Sequence, residues 1–296
     1  MIEVVDSTDR SLRLARPAQR IVSLVPSETA SVADLVGAQR LVGRTDYCVE
    51  PVGVEHVPAV GGTKGFDVAA VEALRPDLVL ANKEENSRPQ VQALIAAGLP
   101  VHVSFPCTVD ESNQYLVSLC ELLGIDAEQS RVVKRCRQAA KEARHRKPSA
   151  PLPVFVPIWK DPWMTFDGRA YASDVLGACG AQNVFSGRSR RYPLAADLGK
   201  TSPWGPERVE DRDTRYPRIR LEEVVERGAR AVLLPDEPYA FDEEDVAALR
   251  DLGSTPPLVA ELVDGKDLFW YGTRVEGAIE RLVARVDRLR SICFGS

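Results

Sequence analysis

The sequence predicts an α/β protein of two Rossmann-like lobes, each with a central, mostly parallel sheet, joined by a long bridging α-helix. Three observations carry this: short β-branched apolar runs alternate with helix-like segments, one strand-tip segment of the first half recurs in the second, and a long helical stretch separates the halves. Alternation of strands and helices implies parallel strands covered on both faces. The 296 residues are enough for two lobes, each burying its own core. The expected limits are 1–107 for the first α/β lobe, 108–148 for the bridge and 149–296 for the second lobe.

Ile21-Val22-Ser23-Leu24-Val25 is a β-branched run closed by Pro26-Ser27, after which a helix is predicted to about residue 38. Leu41-Val42-Gly43 resumes an extended segment. A helix over 68–74 precedes the buried strand Asp77-Leu78-Val79-Leu80-Ala81, and a second helix over 89–97 stops at Gly98, ahead of the strand 100–104. Thr108-Val109-Asp110-Glu111 has capping-box spacing and opens the helical stretch, which breaks near Gly124-Ile125-Asp126 and runs to about residue 146. Lys147-Pro148-Ser149-Ala150-Pro151 ends it, since proline cannot continue a helix. The second lobe opens with Val154-Phe155-Val156-Pro157-Ile158. The segment 71–84 has its counterpart in 224–237: a helix end, a tight turn, a buried strand and a polar tip. Residues 188–218, rich in Arg, Pro and Gly, break the pattern and read as a long loop.

Composition narrows the function classes. Hydrophobic residues make up 44% and charged residues 27%, with a net charge of −5. Basic residues are interspersed with acids, so no nucleic-acid footprint stands out and no span of membrane length occurs. The six cysteines have neither CxxC nor framework spacing and read as buried thiols. No GxGxxG follows a strand, Gly61-Gly62-Thr63-Lys64-Gly65 reads as a plain turn, and no GxSxG elbow occurs. Three histidines in unlike contexts, His56, His102 and His145, predict no protein-held metal. No catalytic residue and no cofactor of its own is expected, though the ligand could carry cobalt or iron.

What gathers at the predicted strand tips is aromatic and charged. Ligands of open α/β sheets sit beyond the carboxyl ends of strands. The candidate ligand residues there are Tyr47, Lys83, Glu84, Trp159, Trp163, Met164, Tyr216, Glu237, Tyr239, Trp270, Tyr271 and Arg274. Flat rings with a few polar groups suit a large planar or ring-bearing ligand. The plainer alternatives are core packing for Trp159 and Trp163, a solvated loop for Lys83-Glu84-Glu85, and a surface ion pair for Arg274.

Arg20-Ile21-Val22-Ser23-Leu24-Val25-Pro26-Ser27, Leu41-Val42-Gly43-Arg44-Thr45-Asp46-Tyr47, Val60-Gly61-Gly62-Thr63 and Leu74-Arg75-Pro76-Asp77-Leu78-Val79-Leu80-Ala81 resemble, in this order and spacing, the helical-backbone class of periplasmic-type solute-binding proteins. That class includes the cobalamin, ferric-siderophore and haem receptors. The resemblance implies a ligand held between two lobes, and a monomeric binding component serving an ABC permease. By position, Tyr47 and Tyr216 match rings that stack on the corrin of the cobalamin receptor. Trp159 and Met164 fall in a segment supplying another aromatic wall, and Trp270 falls where an arginine contacts the ligand. Thr63 and Asn82 stand where that receptor has tryptophans. Relatives dock on the permease through one acid per lobe; here Glu222 holds the second-lobe position, Ala30 the first, and Glu28 is the nearby substitute.

The first expectation is therefore capture of a small-molecule metal chelate. The alternatives are a carrier or sensor without a permease, an enzyme with Lys83, Glu84 and Glu237 as acid-base groups, and a protein-interaction module using the 188–218 loop. Met1 to Arg20 carries no apolar run of signal-peptide length, so the sequence as it stands reads as cytoplasmic. A periplasmic or membrane-anchored extracellular location is the alternative if a leader is missing.

Overall fold

The computed structural model describes residues 1–146 and 150–295. The chain forms two compact units: Met1–Gln138 with Trp270–Glu276, and Ala139–Phe269 with Gly277–Ser296.

The first unit begins with an antiparallel hairpin, β1 (Ile2–Val5) and β2 (Ser11–Leu14), which the sequence reading did not anticipate. Then follow β3 (Ile21–Ser23), α1 (Pro26–Val36) and β4 (Leu41–Arg44). A short hairpin, β5 (Gly61–Gly62) and β6 (Gly65–Phe66), precedes α2 (Val68–Ala73), β7 (Leu78–Asn82), α3 (Arg88–Ala96) and β8 (Val101–Ser104). Gly61 needs its φ of +104°, and a Cβ there would stand 2.9 Å from the Gly65 carbonyl, so the hairpin admits only glycine at that point. Every residue of β7 is buried, as a central strand covered on both faces requires. β3, β4, β7 and β8 make one parallel sheet in the order β4-β3-β7-β8. Its core packs Val22, Leu24, Val71, Val79, Leu94 and Val101. Each such side chain taken out of water contributes about 1.5–3 kcal/mol.

The expected bridge is two helices. α4 (Val109–Leu123) starts at the predicted capping box, Thr108 with Glu111, and stops because Gly124 turns left-handed at φ 74°. α5 (Arg131–His145) follows, and the chain passes from the first unit to the second inside it, after Gln138. The expected limit of the bridge at 148, and the Lys147-Pro148-Ser149 stop, lie outside the described residues.

The second unit contains β9 (Leu152–Phe155), α6 (Tyr171–Ala178), β10 (Ala181–Asn183), α7 (Leu194–Asp197), α8 (Glu222–Glu226), β11 (Ala231–Pro235), α9 (Glu243–Arg250), β12 (Val259–Val263) and α10 (Lys266–Phe269). The closing helix, α11 (Val275–Phe294), starts in the first unit and continues in the second. The sheet is parallel, in the order β10-β9-β11-β12, which reproduces the first unit's topology. The predicted repeat thus extends from one segment to a whole sheet. In each unit the connection direction reverses at a central strand pair, β3 with β7 and β9 with β11. In open α/β sheets ligands bind beyond the carboxyl ends of such strand pairs.

Candidate ligand-binding site

In the first unit a buried polar cluster lies at the carboxyl ends of β7 and β8. Asn82, the last residue of β7, is 4% exposed. Its Nδ2 donates to Ser104 Oγ (3.2 Å) and Tyr271 Oη (3.1 Å), while its Oδ1 accepts from the N–H groups of Glu84 (2.8 Å) and Glu85 (3.2 Å). Both hydroxyls donate to Glu28 Oε1, from Ser104 at 2.6 Å and from Tyr271 at 2.9 Å. Asn86 Nδ2 donates to the carbonyls of Leu24 and Thr63. Burial pushes the Glu28 carboxyl up to about 8; the Ser104 and Tyr271 hydroxyls pull it down, the charge of Glu85 pushes it further up, and Tyr115 pulls it down. Tyr115 Oη exerts that pull without a well-formed hydrogen bond. On β8, burial holds His102 down to about 4, with Asp6 opposing and Arg10 assisting.

Tyr47, in the loop after β4, is 64% exposed, with its ring edge against Gly62. Lys83 Nζ lies 5.3 Å from the centre of the Phe105 ring. Arg274 pairs with Glu50 at 3.3 Å, three residues along from Tyr47, so the predicted arginine and tyrosine share a neighbourhood. Trp270 is buried.

In the second unit, residues beyond β9 form a small tongue in which Trp159 bridges Met164 and Met164 bridges Arg218. Trp159 is 45% exposed and meets Tyr239 edge-on at 5.3 Å. Tyr239 in turn lies 4.7 Å from Phe241, whose other neighbour is Trp163, stacked at 5.8 Å and 4°. Trp163 and Tyr239 pack on the apolar core, so the plainer alternative describes Trp163 and only Trp159 of this pair offers an open ring. Glu237 packs over Gly265, whose N–H is taken by Asp236. Tyr216 is half-buried, with the Arg215 guanidinium 5.2 Å from its ring centre. Glu222 is exposed at the start of α8. A groove of about 670 Å³ lined by Arg144, His145, Asp174 and Gly180 lies at the amino end of β10, away from these tips.

The long segment 188–218 is pinned at its base. Arg188 and Asp197, both nearly fully buried, pair at 2.8 Å, and Asp197 also accepts from the N–H groups of Arg191 and Arg218. Farther out, Tyr192 and Trp204 stack at 6.3 Å, with the guanidiniums of Arg190 and Arg208 over their faces.

The sequence profile of periplasmic binding proteins matches residues 21–216, more than half of the chain. The chain belongs to that family. As a periplasmic binding protein it is 27% identical over 180 residues to the vitamin B12-binding protein of Yersinia pestis (strain Pestoides F), covering 60% of this chain and 64% of that protein. The chain thus spans just under two thirds of the length of the curated relatives it matches. Its fold is similar to the periplasmic haem-binding protein of Roseiflexus sp. RS-1 in apo form (TM-score 0.71, 18% identity, 92% of this chain and 99% of that one). It is similar also to the periplasmic vitamin B12-binding protein of Vibrio cholerae (TM-score 0.70, 19% identity, 93% and 98%).

Two expectations for this periplasmic binding protein need correction. Glu28 is 0% exposed and its carboxyl is engaged by Ser104 and Tyr271, so it presents nothing to a docking partner. Tyr271 is 4% exposed and its hydroxyl is consumed by Glu28 and Asn82, so it supports the site from below rather than touching a ligand. The sequence reading missed Ser104 and the inward role of Asn82. Their signal was faint: two small polar residues ending fully buried strands, which is where a buried polar partner had to be sought. Among the described residues no group of three or more His, Cys, Asp or Glu side chains converges to hold a metal, and no helix is long and apolar enough to cross a membrane.

Proposed function

We propose that this chain captures a metal-chelate ligand of the cobalamin, ferric-siderophore or haem class, as the binding component of an ABC-type uptake system, and performs no catalysis of its own. The observation that carries the reading is the pair Tyr47 and Trp159: large rings, 64% and 45% exposed, each in a loop past the carboxyl end of a strand of its own parallel sheet, β4 for Tyr47 and β9 for Trp159. An exposed ring at such a tip supplies a flat apolar face for a macrocycle, with Lys83, Glu84 and Arg274 in reach of polar edges in the first unit and Glu237 in the second. Family membership supports the same reading, as do the names of the relatives, which bind vitamin B12 or haem. The test is incubation of the purified protein with cyanocobalamin, haemin and a ferric tris-catecholate, followed by gel filtration and native mass measurement. One chelate carried through with the protein at one per chain is the expected result; none retained at high micromolar concentration refutes the proposal.

A second reading, a ligand carrier or sensor working without a permease, draws support from the burial of Glu28. With that acid withdrawn, Glu222 is the exposed acid left of the expected docking pair. Chelate binding without any stimulation of transport by a reconstituted ABC permease favours this reading; transport that is stimulated by the wild-type chain and lost with Glu222→Ala favours permease delivery.

A further inference from the structure

The buried polar cluster at the carboxyl ends of β7 and β8 is closed on itself. Asn82 Nδ2 has two hydrogens and gives one to Ser104 Oγ and one to Tyr271 Oη; both hydroxyls reach Glu28 Oε1 as donors, and they also lie 2.8 Å from each other. Both donors reach the same carboxyl oxygen, and Glu28 Oε2 is left buried with no partner. As a carboxylate, Glu28 would leave charge on Oε2, a buried atom with no well-formed hydrogen bond even from Tyr115, and a buried charge so poorly answered is disfavoured. As a carboxylic acid, it buries no charge, and Oε1 still accepts from both hydroxyls.

This cluster ties together segments that carry the candidate ligand residues. Asn82 Oδ1 holds the N–H groups of Glu84 and Glu85, which fixes the Lys83-Glu84 loop. Tyr271 holds the incoming segment Trp270–Glu276, which is also fastened by Gly272 N–H to Ser112 Oγ, Thr273 N–H to Ser31 Oγ and Thr273 Oγ1 to Asp34, and which presents Arg274. We propose that Glu28, Asn82, Ser104 and Tyr271 are a positioning hub for the first unit's ligand-facing loops, and that the hub is intact only while Glu28 carries a proton. The positioning role rests on the ligand reading above; the hub itself does not.

The titratable groups facing Glu28 are Tyr115 from α4, Tyr271 from the incoming segment and Glu85 from the loop after β7, with His102 on β8 one ring beyond Tyr115 at 6.1 Å, and Cys48 near Thr29 of α1. Burial pushes both tyrosines and Cys48 up and His102 down to about 4, so all four are moved away from neutral pH. Burial of Glu28 places its own ionisation near 8.

The experiment is hydrogen exchange of peptides spanning 83–86 and 270–276 in the wild-type chain and Glu28→Gln, each pair compared at the same pH from about 6.5 to 9.5. Gln retains the accepting oxygen and cannot ionise. The expected result is equal exchange at the acid end and at least about fivefold faster exchange in the wild type at the alkaline end. A wild-type to Gln ratio that stays flat, or an equal change in a peptide covering Val68–Ala73, overturns the hub. Should Glu28→Gln fail to fold, Tyr271→Phe serves: it is expected to speed exchange at Glu84 and Glu85, whose N–H groups are held by the Asn82 that Tyr271 accepts from, and unchanged exchange there is the contrary result. The positioning role is read with haemin, cyanocobalamin and a ferric tris-catecholate as probes. Wild-type Kd is expected to rise at least about fivefold across the same pH range and that of Glu28→Gln by less than about twofold; a pH-independent wild-type Kd overturns positioning. No binding by any probe refutes the chelate reading, and the positioning role with it, while the exchange data still decide the hub.

Discussion

Asp197→Ala is the perturbation expected to open the 188–218 segment. The carboxylate is 2% exposed and accepts from the Arg188 guanidinium at 2.8 Å, the Arg191 N–H at 2.9 Å and the Arg218 N–H at 2.6 Å. Removing it strands a buried guanidinium that is 5% exposed and two backbone donors. Breaking a buried pair from one side costs about 3–5 kcal/mol, and the lower part of that range applies here, because Glu223 still reaches Arg188 Nε at 3.3 Å. Trypsin is the assay, since Arg191, Arg208 and Arg212 are exposed within the segment. If reclosure is fast compared with cleavage, a 3 kcal/mol loss raises cutting by about a hundredfold. Replacing both partners, as Arg188→Met with Asp197→Leu, removes the stranded charge and is expected to cost less than Asp197→Ala alone. A single variant cut within about threefold of the wild-type rate refutes the claim that this pair closes the segment.

Other consequences are as direct. Because Glu28 stands at about 8 in the fold against 4.5 in the unfolded chain, its contribution is full below 4.5 and fades as pH rises through 8, a loss on the order of 5 kcal/mol that Glu28→Gln removes; urea melts between these limits read the difference in slope. Leu80→Ala, in the fully buried centre of β7, is expected to cost about 2–5 kcal/mol in the same melts. Burial raises the thiols of Cys48, Cys120, Cys136 and Cys179, so a disulfide reagent at mildly alkaline pH should leave these four unmodified until denaturant is added; mass mapping of the modified residues checks it. Tyr47→Ala and Trp159→Ala should each weaken binding of the captured chelate by about tenfold or more with little change in melting temperature.

Much of the fold was legible because its signals are local. The β-branched run at Ile21, the capping box at Thr108 and the left-handed stop at Gly98 are written in adjacent residues, and the structure places elements where they fall. The recurrence of 71–84 in 224–237 was visible for the same reason and located both central strands. The hairpin Ile2–Val5 with Ser11–Leu14 was not, since its strands alternate exposed and buried residues too briefly to stand out. At the candidate site, exposed rings such as Tyr47 could be picked out by type and place. Glu28 could not: a carboxylate at a helix start ordinarily faces water, and only the arrival of Tyr271 from 243 positions away and of Ser104 from 76 makes it an interior group. Asn82 was read as a missing ligand ring, whereas its amide is turned inward by the same long-range partners.

Calorimetric titration of the purified chain with haemin, cyanocobalamin and a ferric tris-catecholate tests the central claim most directly. Saturation by one of the three at one per chain, with Kd in the micromolar range or below, is the predicted result. No heat and no saturation with any of them at high micromolar concentration would contradict chelate capture.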